Sequence, residues 1–309
     1  MAMEIGEERS EPNELMGGSD HAAFYKLLSL IILSGSALML WHGITISSEL
    51  VPVFLLAASL PFVFRLLLPR YGNPKTSGAV ECIGLLYIQG GALFLLLVPL
   101  ATVSLPFADQ QIAYFDGLFG FHWPSFVSLF GPNAYVILKF LYGSFAWQPL
   151  VIMPLLWSSG HGTRAWQAVT AATLAALICA LVFPLVPARG PAVYYGLEPA
   201  DYPLLSGFAW WFGPAIETFK SGQVSEITPE LLFPMVSVPS YHTVAALLFT
   251  WAVWPLRLAR APFFVLNAGM LVATIVVGTH YLTDVLAGGV LTGMILLLLK
   301  YRKDPEIRC

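Results

Sequence analysis

Charge is scarce in this sequence. Only 11% of the 309 residues are Asp, Glu, Lys or Arg, while 57% are hydrophobic and the mean hydropathy is +0.74. A soluble domain carries about 25% charged and about 45–50% apolar residues, so a water-solvated surface around a core is excluded. Basic excess is also missing. Fifteen Lys and Arg stand against eighteen Asp and Glu, which removes nucleic acid as a partner. Cysteine is limited to Cys82, Cys179 and Cys309, too few and too scattered for a disulfide scaffold. No His-Glu-x-x-His zinc signature and no internal repeat occur. An aromatic fraction of 14% excludes a disordered chain.

What is present is a series of long apolar runs. A membrane-crossing helix needs about 20 mostly apolar residues. Eight stretches qualify: 23–45, 50–69, 79–105, 133–157, 165–187, 241–256, 262–281 and 283–300. The expected fold class is all-α, a polytopic membrane helical bundle of about eight transmembrane helices. Residues 1–20 are acidic, the wrong sign for a secretory leader, and read as a flexible cytoplasmic tail. Residues 106–132 hold the aromatic stretch FDGLFGFHWPSF, which fits the headgroup level. Residues 188–239 form a Gly- and Pro-rich connection with Tyr194, Tyr195, Trp210, Trp211 and Phe212. A connection of roughly 50 residues between membrane helices calls for a function, and its aromatics point to a lid at the lipid surface.

Lys and Arg collect on the cytoplasmic side of short loops. With the N-terminus inside and eight alternating spans, twelve of the fifteen fall inside; only Arg189 and Lys220 fall outside, and Lys139 lies within the fourth span. Both termini are therefore expected in the cytoplasm, with the loop 188–239 facing a periplasm or lumen. A bacterial inner membrane is the expected setting.

Ionisable residues at membrane depth are costly and need a reason. Arg189 in PARGP, His242 in PSYHT, and His280 and Asp284 in HYLTD all fall at helix ends on the outer side. His280 and Asp284 are four residues apart, which places them on one helical face. A carboxylate on one ring nitrogen directs the other as nucleophile or base. Ser240 and His242 open a helix, where free N–H groups favour an anion. Arg189 offers a planar fork of donors to a phosphate. Two histidines, an aspartate, an arginine and a helix N-terminus around one anion make a parts list for phosphoryl transfer.

Singly, each residue has another reading. Ser240 and Asp284 are good N-caps. His242 suits the membrane interface, and Arg189 suits a headgroup anchor. A His-x-x-x-Asp pair also serves metal sites and transporter proton relays. Their occurrence together, on one side and at consecutive helix ends, favours the catalytic reading. A transporter would show internal repeats and broken midplane helices.

PSYHT followed by HYLTD, each at the outer end of a late membrane helix, resembles the type 2 phosphatidic acid phosphatase superfamily. That superfamily pairs a Pro-Ser-Gly-His motif with a later motif containing Ser-Arg, His and Asp. Here Tyr241 replaces the usual Gly, Ala273 and Thr274 stand where Ser-Arg would lie, and the first motif is reduced to PARGP. These departures, with FDGLFGFHWP, Tyr142 and Gln148, resemble the branch containing the inositol phosphorylceramide synthases. The resemblance covers residues ~106–300.

It implies a six-helix core preceded by two extra helices, with a tail at 1–20, the extra helices at 21–78 and the catalytic membrane domain at 79–302. It implies His280 as the nucleophile forming a phosphohistidine, oriented by Asp284, with His242 as general acid. Ser240, with nearby backbone N–H groups, and Arg189 would hold the phosphoryl oxygens. The implied substrate is a phospholipid or lipid phosphate, with water or a lipid alcohol as acceptor, and no metal or other cofactor is expected.

Overall fold

The computed structural model describes residues 18–56, 59, 63, 73–205, 208–231 and 236–303. Most of the expected tail and most of the expected second span, 50–69, lie outside the described residues. Among the described residues, six helices are long and apolar enough to cross a membrane. They are α1 (Gly18–Trp41), α2 (Pro74–Thr102), α5 (Pro132–Ser158), α6 (Gly162–Val182), α10 (Arg257–Val276) and α11 (Leu282–Lys303). A seventh apolar helix, α9 (Tyr241–Val253), has 13 residues. The chain is an all-α polytopic helical bundle and an integral membrane protein.

At 1.5 Å per residue α9 is about 20 Å long, well short of a hydrocarbon core of about 30 Å. Arg164 covers the deficit at its C-terminal end. Its Nε donates to the carbonyls of Trp251 and Ala252 at 3.1 and 3.0 Å, and its guanidinium stacks 3.9 Å from the Trp251 ring. A cation bonded to the last carbonyls of a helix satisfies acceptors that would otherwise be orphaned in lipid.

The remaining helices are short and lie in the two long connections. Residues 106–132 fold into α3 (Asp109–Leu118) and α4 (Trp123–Val127). The connection 188–239 contains α7 (Pro191–Tyr194) and α8 (Phe208–Lys220). In α8 the residues Phe212, Ala215, Ile216 and Phe219 are buried. Their i, i+3, i+4, i+7 spacing is an apolar stripe on one helical face, and α8 packs on α2 through it. Two-residue strands β1 (Thr45–Ile46) and β2 (Glu226–Ile227) pair in parallel and tie the connection to the end of α1.

The helices meet closely where the site lies. A Cβ on Gly288 of α11 would come within 2.7 Å of the Ser240 carbonyl oxygen, and the Ser240 N–H donates to the Asp284 carbonyl at 3.0 Å. Only a glycine lets the first turns of α9 and α11 approach so closely. This contact brings PSYHT and HYLTD together.

Candidate functional site

His280 sits in the five-residue gap between α10 and α11. Thr279 before it has φ +53°, a left-handed conformation costly for a β-branched residue, of order 1–3 kcal/mol. The surroundings enforce it. The Trp123 indole N–H is shared between the carbonyls of Ile275 and His280 at 3.2 and 3.1 Å, and Trp123 itself is fully buried. Strain held beside a candidate nucleophile is a mark of a functional segment.

His280 Nδ1 lies 3.0 Å from Asp284 Oδ2. The same oxygen accepts the Ser237 hydroxyl at 2.8 Å and the Tyr281 N–H at 3.1 Å. Asp284 is fully buried, and its Oδ1 has no hydrogen-bond partner among the described residues. Holding a proton on Nδ1 leaves Nε2 with its lone pair available for attack. His242 follows Ser240 at the start of α9. Its ring stacks on Tyr142 at 4.2 Å and 17°, meets Phe145 at 4.8 Å, and has Nδ1 3.4 Å from the Tyr142 hydroxyl. His242 and His280 line one cavity of about 890 Å³.

The other expected residues sit differently. Ser240 is fully buried, and its hydroxyl oxygen accepts the Thr243 N–H at 3.4 Å. That is the capping role, and Ser240 does not line the cavity. Arg189 is also outside the lining. Its guanidinium donates to Glu217 Oε1 through Nε at 2.9 Å and through NH2 at 2.7 Å, and lies 4.6 Å from the centre of the Phe107 ring. Its side chain is 46% exposed. Lys139 is exposed, with Nζ 5.0 Å from the Tyr135 ring centre. Gln148 is fully buried and bridges helices, with its amide donating to Asn267 Oδ1 at 2.8 Å and to Ser144 Oγ at 3.0 Å.

Two acids that the sequence reading passed over frame the site. Asp109, Ile112 and Asp116 are the buried residues of α3. The Asp109 carboxylate accepts the N–H groups of Arg189 and Gly190 at 2.9 and 3.0 Å, and the Tyr281 hydroxyl at 2.9 Å. The Asp116 carboxylate accepts the N–H groups of Leu282 and Thr283 at 3.0 and 2.7 Å, and the Thr283 hydroxyl at 2.6 Å. Burial pushes both carboxyls above their ordinary pKa, while these donors pull the other way. One short helix thus holds both the PARGP turn and the start of α11. The signal was available as two acids seven residues apart on one face of α3.

A family model described as the PAP2 superfamily matches residues 110–298, and the chain belongs to that superfamily. Its members are generally phosphatases or phosphotransferases acting on lipid phosphates, which supports an enzyme with a lipid phosphate substrate in a membrane. No curated protein and no solved structure matches the chain.

Proposed function

We propose that this chain is a lipid phosphotransferase of the kind found in the inositol phosphorylceramide synthase branch, working through a phosphohistidine at His280. The observation carrying this reading is that His280 and His242 face one apolar cavity while Asp284 engages Nδ1 of His280 from behind. In the first half-reaction His280 Nε2 attacks phosphorus. A nitrogen–phosphorus bond forms, the bond to the leaving alcohol breaks, and protonated His242 gives its proton to the leaving oxygen. In the second, a lipid alcohol gives its proton to His242 and attacks phosphorus, releasing His280.

Asp284 keeps the ring oriented and stabilises its positive charge, as an orienting carboxylate does. Arg189 is proposed to meet phosphoryl oxygens only when it exchanges Glu217 for them, and Ser240 to act by ordering the first turn of α9. Residues 79–302 would form the catalytic membrane domain and 21–78 the two added helices. Both termini would be cytoplasmic, with the site at the outer face of a bacterial inner membrane. No divalent metal is assigned to the reaction.

Transfer is favoured over hydrolysis because the cavity beside the histidines is apolar and Phe212 of α8 forms part of its wall. Excluding water protects a reactive intermediate from hydrolysis. The test is incubation of purified protein with a labelled phospholipid panel, with and without ceramide or diacylglycerol. New phospholipid appearing only with an acceptor supports transfer. Free phosphate at the same rate in both conditions makes the protein a phosphatase.

A further inference from the structure

We infer that the cavity is a chamber for one hydrocarbon chain of the lipid whose phosphorus is handled at His280, and that α2, which precedes the family match, builds one of its walls. The inference rests on the proposed histidine chemistry only for which end of the lipid lies at His280. Leu86, Tyr87, Gln89, Phe94 and Leu97 of α2 line the cavity, all before residue 110 where the match begins. Among the described residues, none that lines the cavity is Lys, Arg, Asp or Glu. A ligand with charge along its length is therefore excluded, and only the histidine end suits a phosphate.

The dimensions fit a chain. Leu86 and Leu97 are eleven residues apart on α2, about 16 Å along the helix axis. One leaflet of the hydrocarbon core is about 15 Å deep. The chamber thus runs one leaflet's depth along a membrane-crossing helix. Its shallow end holds His280, Thr279 and Phe212. Phe249, seven residues beyond His242 on α9, lies about 10 Å further in, with Leu86 and Pro149 completing the deep end.

The polar groups in the wall are bound to one another. The Gln89 amide donates to the Tyr241 hydroxyl at 3.0 Å and accepts the Thr173 hydroxyl, while the Tyr241 hydroxyl donates to the Ala172 carbonyl at 3.4 Å. Tyr241 is the residue that replaces glycine in the family motif. Its ring is held in the chamber wall beside His242 by a residue from outside the family core. The Tyr87 hydroxyl likewise bonds the Ala146 carbonyl across α2 and α5. With these groups paired, what the wall offers a ligand is apolar surface.

The probe is phosphatidylinositol, a phosphodiester, with a 16-carbon chain ending in a diazirine, reconstituted with the full-length protein in phosphatidylcholine vesicles. Cross-links are mapped by peptide mass spectrometry. Labels at Leu86, Pro149 and Phe249 are expected. Labels confined to bilayer-facing residues such as Leu258 and Val265, which are 95% and 69% exposed, would overturn the chamber. A Cβ on Gly90 meets nothing within 4 Å, and one on Gly91 meets only the Phe54 ring at 3.6 Å. Gly90→Leu and Gly91→Leu therefore fill open space, and deep-end labelling should fall at least fivefold relative to an eight-carbon probe. An unchanged ratio overturns the inference. The parent map decides even if a variant fails to fold. Repeating it with His280→Ala separates the two readings: deep-end labels with activity retained defeat the nucleophile and leave the chamber standing, and activity lost without deep-end labels does the reverse.

Discussion

Asp116→Ala isolates the contribution of α3 to the site. It removes one fully buried carboxylate that accepts three hydrogen bonds, two of them from the first backbone N–H groups of α11. Water cannot replace it at zero exposure, and each orphaned buried donor costs about 1–3 kcal/mol. A carboxylate at a helix N-terminus adds about 0.3–1 kcal/mol through the dipole. Allowing for partial relaxation, the loss should be about 3–5 kcal/mol. A chain of this size loses roughly 2–4 °C per kcal/mol, so the melting temperature in detergent should fall by about 6–20 °C. Asp116→Asn keeps one acceptor oxygen but turns an NH2 group toward the donors, and should fall between. Thr283→Val removes only the hydroxyl donor and should cost about 1 kcal/mol. In the double variant the losses should be less than additive, because the two residues share a bond. Leu282 and Thr283 follow His280 by two and three residues, so kcat should drop more than KM rises. Melting of Asp116→Ala within about 1 °C of the parent, with kcat intact, would refute the role of Asp116 in holding the start of α11.

His280→Ala should abolish turnover and trapping of a phosphoenzyme; near-parental rates would sink the nucleophile. His242→Ala should slow release of ordinary alcohols by about 10²–10⁴-fold yet spare an activated leaving group such as nitrophenol, and equal losses on both would argue against a general acid. Activity should survive excess EDTA and be inhibited by vanadate; loss in chelator restored by Mg²⁺ would reopen His280 and Asp284 as ligands. Cysteine placed at position 220 should react with an impermeant reagent from the outer side, and labelling only from the cytoplasm would reverse the proposed topology.

Long apolar runs carried most of the fold, because bilayer thickness sets a length any sequence window can detect. Edges shifted where polar residues still continue a helix: α2 begins at Pro74, capped by Asn73, five residues before the apolar run expected from 79. The pairing of His280 with Asp284 was legible because i, i+4 spacing is local. The pairing of Arg189 with Glu217 was not, since it joins residues 28 apart through a fold of the 188–239 connection. Asp109 and Asp116 were hidden for the same reason. Their donors lie 80 to 172 residues away, and an acid in an interfacial helix looks solvated until its neighbours are known. Ser240 shows the opposite case. Cap and phosphate ligand share one sequence signature, and only its burial favours the cap.

The supply of positive charge bears on which phosphorus the site suits. Arg189 is committed to Glu217 and Lys139 is exposed beside Tyr135. Neither lines the cavity, nor does any other Lys or Arg among the described residues. What remains near phosphorus is the histidine pair and the positive end of α9, worth about half a charge. A phosphate monoester brings about −1.5 to −2 charges, more than that set can balance at low dielectric. A phosphodiester brings one. The loss of the Ser-Arg pair, where Ala273 and Thr274 now stand, removes a cation of the kind a monoester phosphatase would use, and both residues are fully buried in α10. The charge balance and the apolar cavity therefore favour the same chemistry, a diester donor and an alcohol acceptor meeting at the two histidines.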